Sequence, residues 1–217
     1  MPSGGGGGSS SRRDAAVDGG DGDANMTIAG RVCLINDVRA PATCASSGAA
    51  GFTVSLGSAQ ATTAADGAFT LTRPTGSNLV WRASGGTTII PSALEYSTST
   101  SAPSIPAIDR VLYEEMLSST GAAVASGAGA VIVRATRNGT PVADLVAASS
   151  PASVVYYDGA TPTDWELNVT GPNGIAWVPT LPAGTASITF DDGSVTSTAA
   201  DIPVYADTVT FRFHDVP

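Results

Sequence analysis

Apolar and polar positions alternate in short bursts along this chain, and one burst pattern occurs twice. Thr63-Ala64-Ala65-Asp66-Gly67-Ala68-Phe69-Thr70-Leu71 is followed by a second run at 76–82. Gly171-Pro172-Asn173-Gly174-Ile175-Ala176-Trp177-Val178 is followed by one at 184–190. Each copy reads as turn, short strand, small-residue break and alternating strand, which predicts tandem β-sandwich modules. In the first module, residues 26–92, strands are expected at 27–34, at 51–57 with Phe52, Val54 and Leu56 on one face, and at 78–83 and 87–90. Residues 60–64 and 68–72 read as a hairpin around Asp66-Gly67. In the second module, residues 129–217, strands fall at 130–136, 153–157, 175–178, 186–190, 195–198 and 209–213, with a hairpin turn at Asp192-Gly193. The stretch 93–128 is a connector, extended at 97–104 and helical at 107–119. There Pro106 opens the helix, and Ile108, Val111, Leu112 and Met116 form one apolar stripe. The fold class expected is all-β: two tandem Greek-key/prealbumin-like β-sandwiches joined by a connector with one short α-helix.

Composition adds a tether and removes several functions. The chain has 25 Gly and 14 Pro, and charged residues make up 13% of it, about half the usual ~25%. Residues 1–25 are Gly/Ser-rich and then Asp/Gly-rich, with little to bury, which predicts a disordered tether. The net charge of −9, with no basic cluster, argues against nucleic acid as a partner. No lysine is present, so Lys–Asn isopeptide cross-links and Schiff-base chemistry are excluded. No transmembrane span is expected, because the most apolar stretch, 121–133, is short and rich in Gly and Ala. No signal peptide is visible; a targeting segment is expected to have been removed.

Cys33 and Cys44 flank a turn-like stretch and are expected to form a disulfide in an oxidising compartment, two reduced buried thiols being the alternative. Neither a metal nor a cofactor is expected. The lone histidine, His214, reads as a cap on a sheet edge rather than a catalytic base, and no enzyme activity is expected. Asp191-Asp192 reads as turn chemistry, Glu114-Glu115 as a solvated helix face, and the acidic run 18–25 as tether rather than a calcium loop. The best candidate ligand-binding residues are Tyr156, Tyr157 and Trp165, aromatics around an Asp158-Gly159 loop that could form a glycan platform.

The motifs at 28–32, 54–57 and 61–71, the last with the form T-x-x-D-G-x-F, resemble the carboxypeptidase regulatory-like domain. Residues 138–143, 173–177 and 181–184 match it more loosely. The resemblance implies a prealbumin-like sandwich in an exported bacterial protein and a non-catalytic role as a structural, adhesion or protein-interaction module. A glycan-binding accessory module and a fibre subunit assembling through sheet edges are the alternatives. The implied partners are other envelope or surface proteins, a second copy, or polysaccharide. The tether resembles that of bacterial lipoproteins, so the implied location is extracytoplasmic, either anchored at the outer membrane through an N-terminal lipid or secreted.

Overall fold

The computed structural model describes Met1 and residues 26–45, 49–95, 97 and 102–217. Met1 and Ser97 apart, the tether, its acidic run and the stretch 98–101 lie outside the described residues. In chain order the elements are β1 (Thr27–Ile35), β2 (Thr53–Leu56), β3 (Ala59–Thr62), β4 (Ala68–Thr72), β5 (Val80–Ser84), β6 (Ile89–Ile90), β7 (Ser92–Glu95) and β8 (Ser104–Asp109). There follow α1 (Arg110–Thr120), β9 (Ala128–Arg137), β10 (Thr140–Pro141), β11 (Val146–Ser150), β12 (Tyr156–Asp158) and β13 (Trp165–Glu166). The chain ends with β14 (Ile175–Pro182), β15 (Gly184–Asp191), β16 (Thr196–Val204) and β17 (Val209–Asp215). The fold is an all-β sandwich architecture with one helix.

Two halves repeat one strand plan. In the first, β1 lies between antiparallel β4 and parallel β8; in the second, β9 lies between antiparallel β14 and parallel β17. The facing sheets repeat as well: β2-β5-β7 in the first half, β11-β15-β16 in the second. The short β6, β10 and β13 have no counterpart, and one further strand changes sheets between the halves. β3 pairs with β2, whereas β12 lies in the other sheet, against β14.

The doubled sequence motif has the same geometry in both halves. Gly67 (φ 84°) and Gly174 (φ 68°) adopt a left-handed backbone that other residues take up at a cost. Each carbonyl accepts from the first strand of its half, Gly67 from Val32 at 2.9 Å and Gly174 from Ala135 at 2.8 Å. A Cβ on either glycine would meet the carbonyl oxygen of that same partner at 2.5 Å. The turn at Asp66-Gly67 does not close a hairpin: β3 belongs to the ten-stranded sheet and β4 to the four-stranded one. The turn carries the chain between layers, because Phe69 and Leu71 are needed on the opposite wall of the core. The Asp192-Gly193 turn does close a hairpin, β15–β16.

The halves share a sheet. β17 pairs in parallel with β9 of its own half and with β7 of the other, so one ten-stranded sheet runs from β13 to β3. β9 is therefore buried on both faces. Val131, Val133 and Ala135 face the core of the second sandwich, and Ala130 and Ile132 face a middle core built with α1. β7 and β8 carry the first sandwich past residue 92, into the stretch read as connector.

The helix begins at Arg110 rather than 107, because Ala107 to Asp109 pair with β1 and β6 as the end of β8. Asp109 caps it, accepting from Val111 N–H at 2.8 Å, and Gly121 (φ 66°) ends it. Its buried face is Leu112, Tyr113 and Met116; Val111, placed on the stripe by sequence spacing, is 63% exposed.

Candidate functional site

Four of the predicted site residues, Cys33, Cys44, Tyr156 and Trp165, lie at the junction of the two halves, around Trp177. This side chain is fully buried, with Trp165 at 4.8 Å, Tyr156 at 5.5 Å and Tyr113 of α1 at 6.1 Å between ring centroids. Cys33 and Cys44 are joined by a disulfide, and both pack into the same cluster. Tyr156 and Trp165 are half-buried against it. These two rings fill a core rather than stand out as a platform.

Tyr157 belongs to a different core. It faces the second sandwich, is 2% exposed, and uses its hydroxyl on the backbone of one residue. That hydroxyl accepts from Ala147 N–H at 2.7 Å and donates to Ala147 C=O at 3.0 Å. Ala147 lies in β11, on the edge that corresponds to the place β3 occupies beside β2. The tyrosine thus supplies the bonds of a missing strand. The candidate binding trio is thereby divided between two cores, and Tyr157 offers no free face to a ligand. Alternation along 153–157 shows which residues are buried but not which core receives them.

Asp158 is also buried and is the polar centre of the junction. One carboxylate oxygen accepts from Gly171 N–H (2.9 Å) and Ile175 N–H (2.8 Å). The other accepts from the main chain (2.8 Å) and side chain (3.1 Å) of Asn173. These donors supply what a buried carboxylate needs. Beside it, Arg39 reaches from the first half and donates to the carbonyls of Gly159 (3.3 Å) and Ala160 (2.6 Å). Its other face pairs with Asp37 at 2.7 Å. Hydrogen bonding to Asp37 raises the Arg39 pKa against the effect of burial. Burial acts to raise the Asp37 pKa, but the hydrogen bonds and charge of Arg39 outweigh it and hold the carboxyl below its ordinary value.

Further links cross the junction. Arg212 of β17 pairs with Glu95 of β7, and the Arg82 guanidinium sits 4.4 Å above the Tyr205 ring. Burial lowers the Arg212 pKa.

His214 binds Ser197 across β17 and β16, Nε2 to Oγ at 2.7 Å, and stacks on Phe190 with ring centroids 5.9 Å apart. Asp192 is a turn residue whose carboxylate accepts from Ser194 and Val195; these bonds, the Ser194 hydroxyl first, lower its pKa. Glu114 and Glu115 are exposed. Among the described residues, no group of three or more His, Cys, Asp or Glu side chains is placed to hold a metal, and no helix is long and apolar enough to cross a membrane.

No family model matches the chain, and no curated protein matches it. Among solved structures it is similar to the Bacillus anthracis TIE protein, at 12% identity and a TM-score of 0.25, over 89% of this chain and 34% of that one. It is also similar to a Streptococcal ancillary pilin, at 12% identity and a TM-score of 0.23, over 88% of this chain and 69% of that one. The chain thus spans about a third of the length of the TIE protein.

Proposed function

We propose that this chain is a non-catalytic scaffold and interaction module of the cell envelope or surface, working outside the cytoplasm. The observation that supports it best is the junction. A shared parallel strand, an ion pair, the Arg39 clamp and a common aromatic core join the two sandwiches. Such a body holds its two ends at a fixed separation, as a spacer or presenting module must. Its charged and polar groups are spent in the same way: Asp158, Arg39 and His214 each bind neighbouring protein groups rather than converge on a cleft. The disulfide supports an oxidising compartment. Anchoring through an N-terminal lipid and secretion are the two finer versions of this location, with envelope or surface proteins as partners.

The test combines protease access and thiol state. On intact cells the chain is expected to be cut by added protease, and Cys33 and Cys44 to resist alkylation until reduced. Protection from the protease together with immediate alkylation of both thiols would overturn the reading. A glycan-binding role would now rest on Tyr156 and Trp165 alone. Polysaccharide binding that is lost in Trp165→Ala, in a variant that still folds, would favour it.

A further inference from the structure

The sheet edges differ in how their outward backbone groups are met. At β6, Arg110 donates to the carbonyls of Thr87 (2.8 Å) and Ile89 (3.3 Å). On β11, Thr170 and Tyr157 bind the outward groups of Leu145 and Ala147. β16 is broken by a bulge opposite Ala186/Ile188, where Asp201 takes φ 54°, and it carries Pro203, whose carbonyl accepts from the Thr210 hydroxyl at 2.7 Å. β13 is two residues long. These are the usual ways of closing an edge to further strands.

β4 is closed in this way only at its first residue. Its sequence Ala-Phe-Thr-Leu-Thr carries no charge, bulge or proline. Ala68 is already occupied on its outer side: its N–H binds Asp66 Oδ1 at 3.0 Å and its carbonyl accepts from Ala64 at 2.8 Å. On the inner side, Arg73 N–H binds the Met26 carbonyl at 2.9 Å. Alternation along the strand then turns the N–H and C=O groups of Thr70 and Thr72 outward. Both residues are exposed, and among the described residues no hydrogen bond reaches those outward groups. The four-residue β3, equally uncharged, lies on the same side of the sandwich.

We propose that β4 is a self-pairing edge, on which a second copy of this chain adds its own β4 antiparallel about a two-fold axis through Leu71. This rests on the scaffold-and-interaction reading and names its partner. The free groups fix the register. Thr70 of each copy faces Thr72 of the other, and each such pair exchanges both N–H···O bonds. Leu71 meets its own counterpart as the close, non-hydrogen-bonded pair. Pro74, which has no N–H to offer, falls opposite Ala68, whose outward groups are already bound. A register centred on Thr70 would need those Ala68 groups and would lose the outer pairs. Identical uncharged strands meet without like-charge repulsion. The chain's own residues 2–25 contain no alternating apolar run that could take the place instead. An isologous edge closes at two copies, so this contact makes a dimer and not a fibre. Because each copy carries −9, association strengthens with added salt.

Sedimentation velocity of the full chain over a concentration series tests this. The expected result is a monomer–dimer equilibrium that stops at two. Thr70→Lys/Thr72→Lys sets like charges opposite one another in two pairs and raises the dissociation constant about two- to thirtyfold. Ser118→Lys/Ser126→Lys adds the same charge at exposed sites elsewhere and does not weaken association, since it only reduces the repulsion between two negatively charged copies. Oxidised Thr70→Cys/Thr72→Cys yields covalent dimers whose linked peptides join position 70 to position 72. A monomer at every concentration, a dimer indifferent to Thr70→Lys/Thr72→Lys, species larger than two, or 70–70 links would each overturn the proposal. So would a monomer that binds only foreign strand peptides. The protease and thiol readouts do not depend on any of these outcomes, so the two readings fail separately.

Discussion

Two buried threonines show why the doubled motif has its form. Thr63 accepts from Phe52 N–H at 2.8 Å and donates to the Ala49 carbonyl, while Thr170 accepts from Leu145 N–H at 3.0 Å and donates to the Val142 carbonyl at 3.0 Å. In each half the hydroxyl bridges the start of the second strand, and the glycine four residues on binds the first strand. The turn itself was legible in Asp66-Gly67 and Asn173-Gly174. The role of the hydroxyl was not, since its partners come from other loops of the chain. Thr63→Val and Thr170→Val keep shape and strand preference but leave buried backbone groups unmet. Each is expected to lower stability by about 1–3 kcal/mol in denaturant titration. His214 gives a pH signature at the same scale. Burial, then the Arg212 charge, lowers its pKa below the ordinary 6.5, with Asp215 acting the other way. The unfolded chain therefore takes up the proton first. The stabilisation is complete above the ordinary value and is lost as pH falls through the lower folded value. His214→Gln should flatten this acid slope in the melting temperature, and an unchanged slope would assign it to other groups.

Elements with clean two-residue alternation were readable: β2, β5, β15 and β17 fall close to where Phe52, Trp81, Phe190 and Phe211 placed them. Errors arose where a local signal met a longer-range demand. Pro106 marked a helix start, yet pairing of 104–108 with β1 and of 108–109 with β6 holds those residues extended, and the helix waits for Asp109. The shift rotates the apolar stripe, exposing Val111 and burying Tyr113. Tyr156 and Tyr157, adjacent in β12, point to opposite faces of the sheet and so enter different cores. Their adjacency beside Asp158-Gly159 carries no signal of that division. Tyr157→Phe keeps the ring and removes the edge bonds to Ala147. An expected loss of about 1–3 kcal/mol, with faster amide exchange at Ala147, would mark the hydroxyl as a strand substitute.

At the scale of the molecule, the sequence read as two modules on a connector, and it held no signal for the sheet that joins them. The contact of β17 with β7 is a parallel pairing between residues more than a hundred positions apart, and each strand alone would serve equally well as a simple edge. Neither Arg39 nor Arg82 stood out among ten arginines in a chain without lysine. Together these links make the halves one body, and the scaffold reading depends on that. Differential scanning calorimetry of the disulfide-intact chain tests it most directly. A single transition, with calorimetric and van't Hoff enthalpies in a ratio of about 1, is the predicted result. Two separate transitions, one for each sandwich, would contradict it.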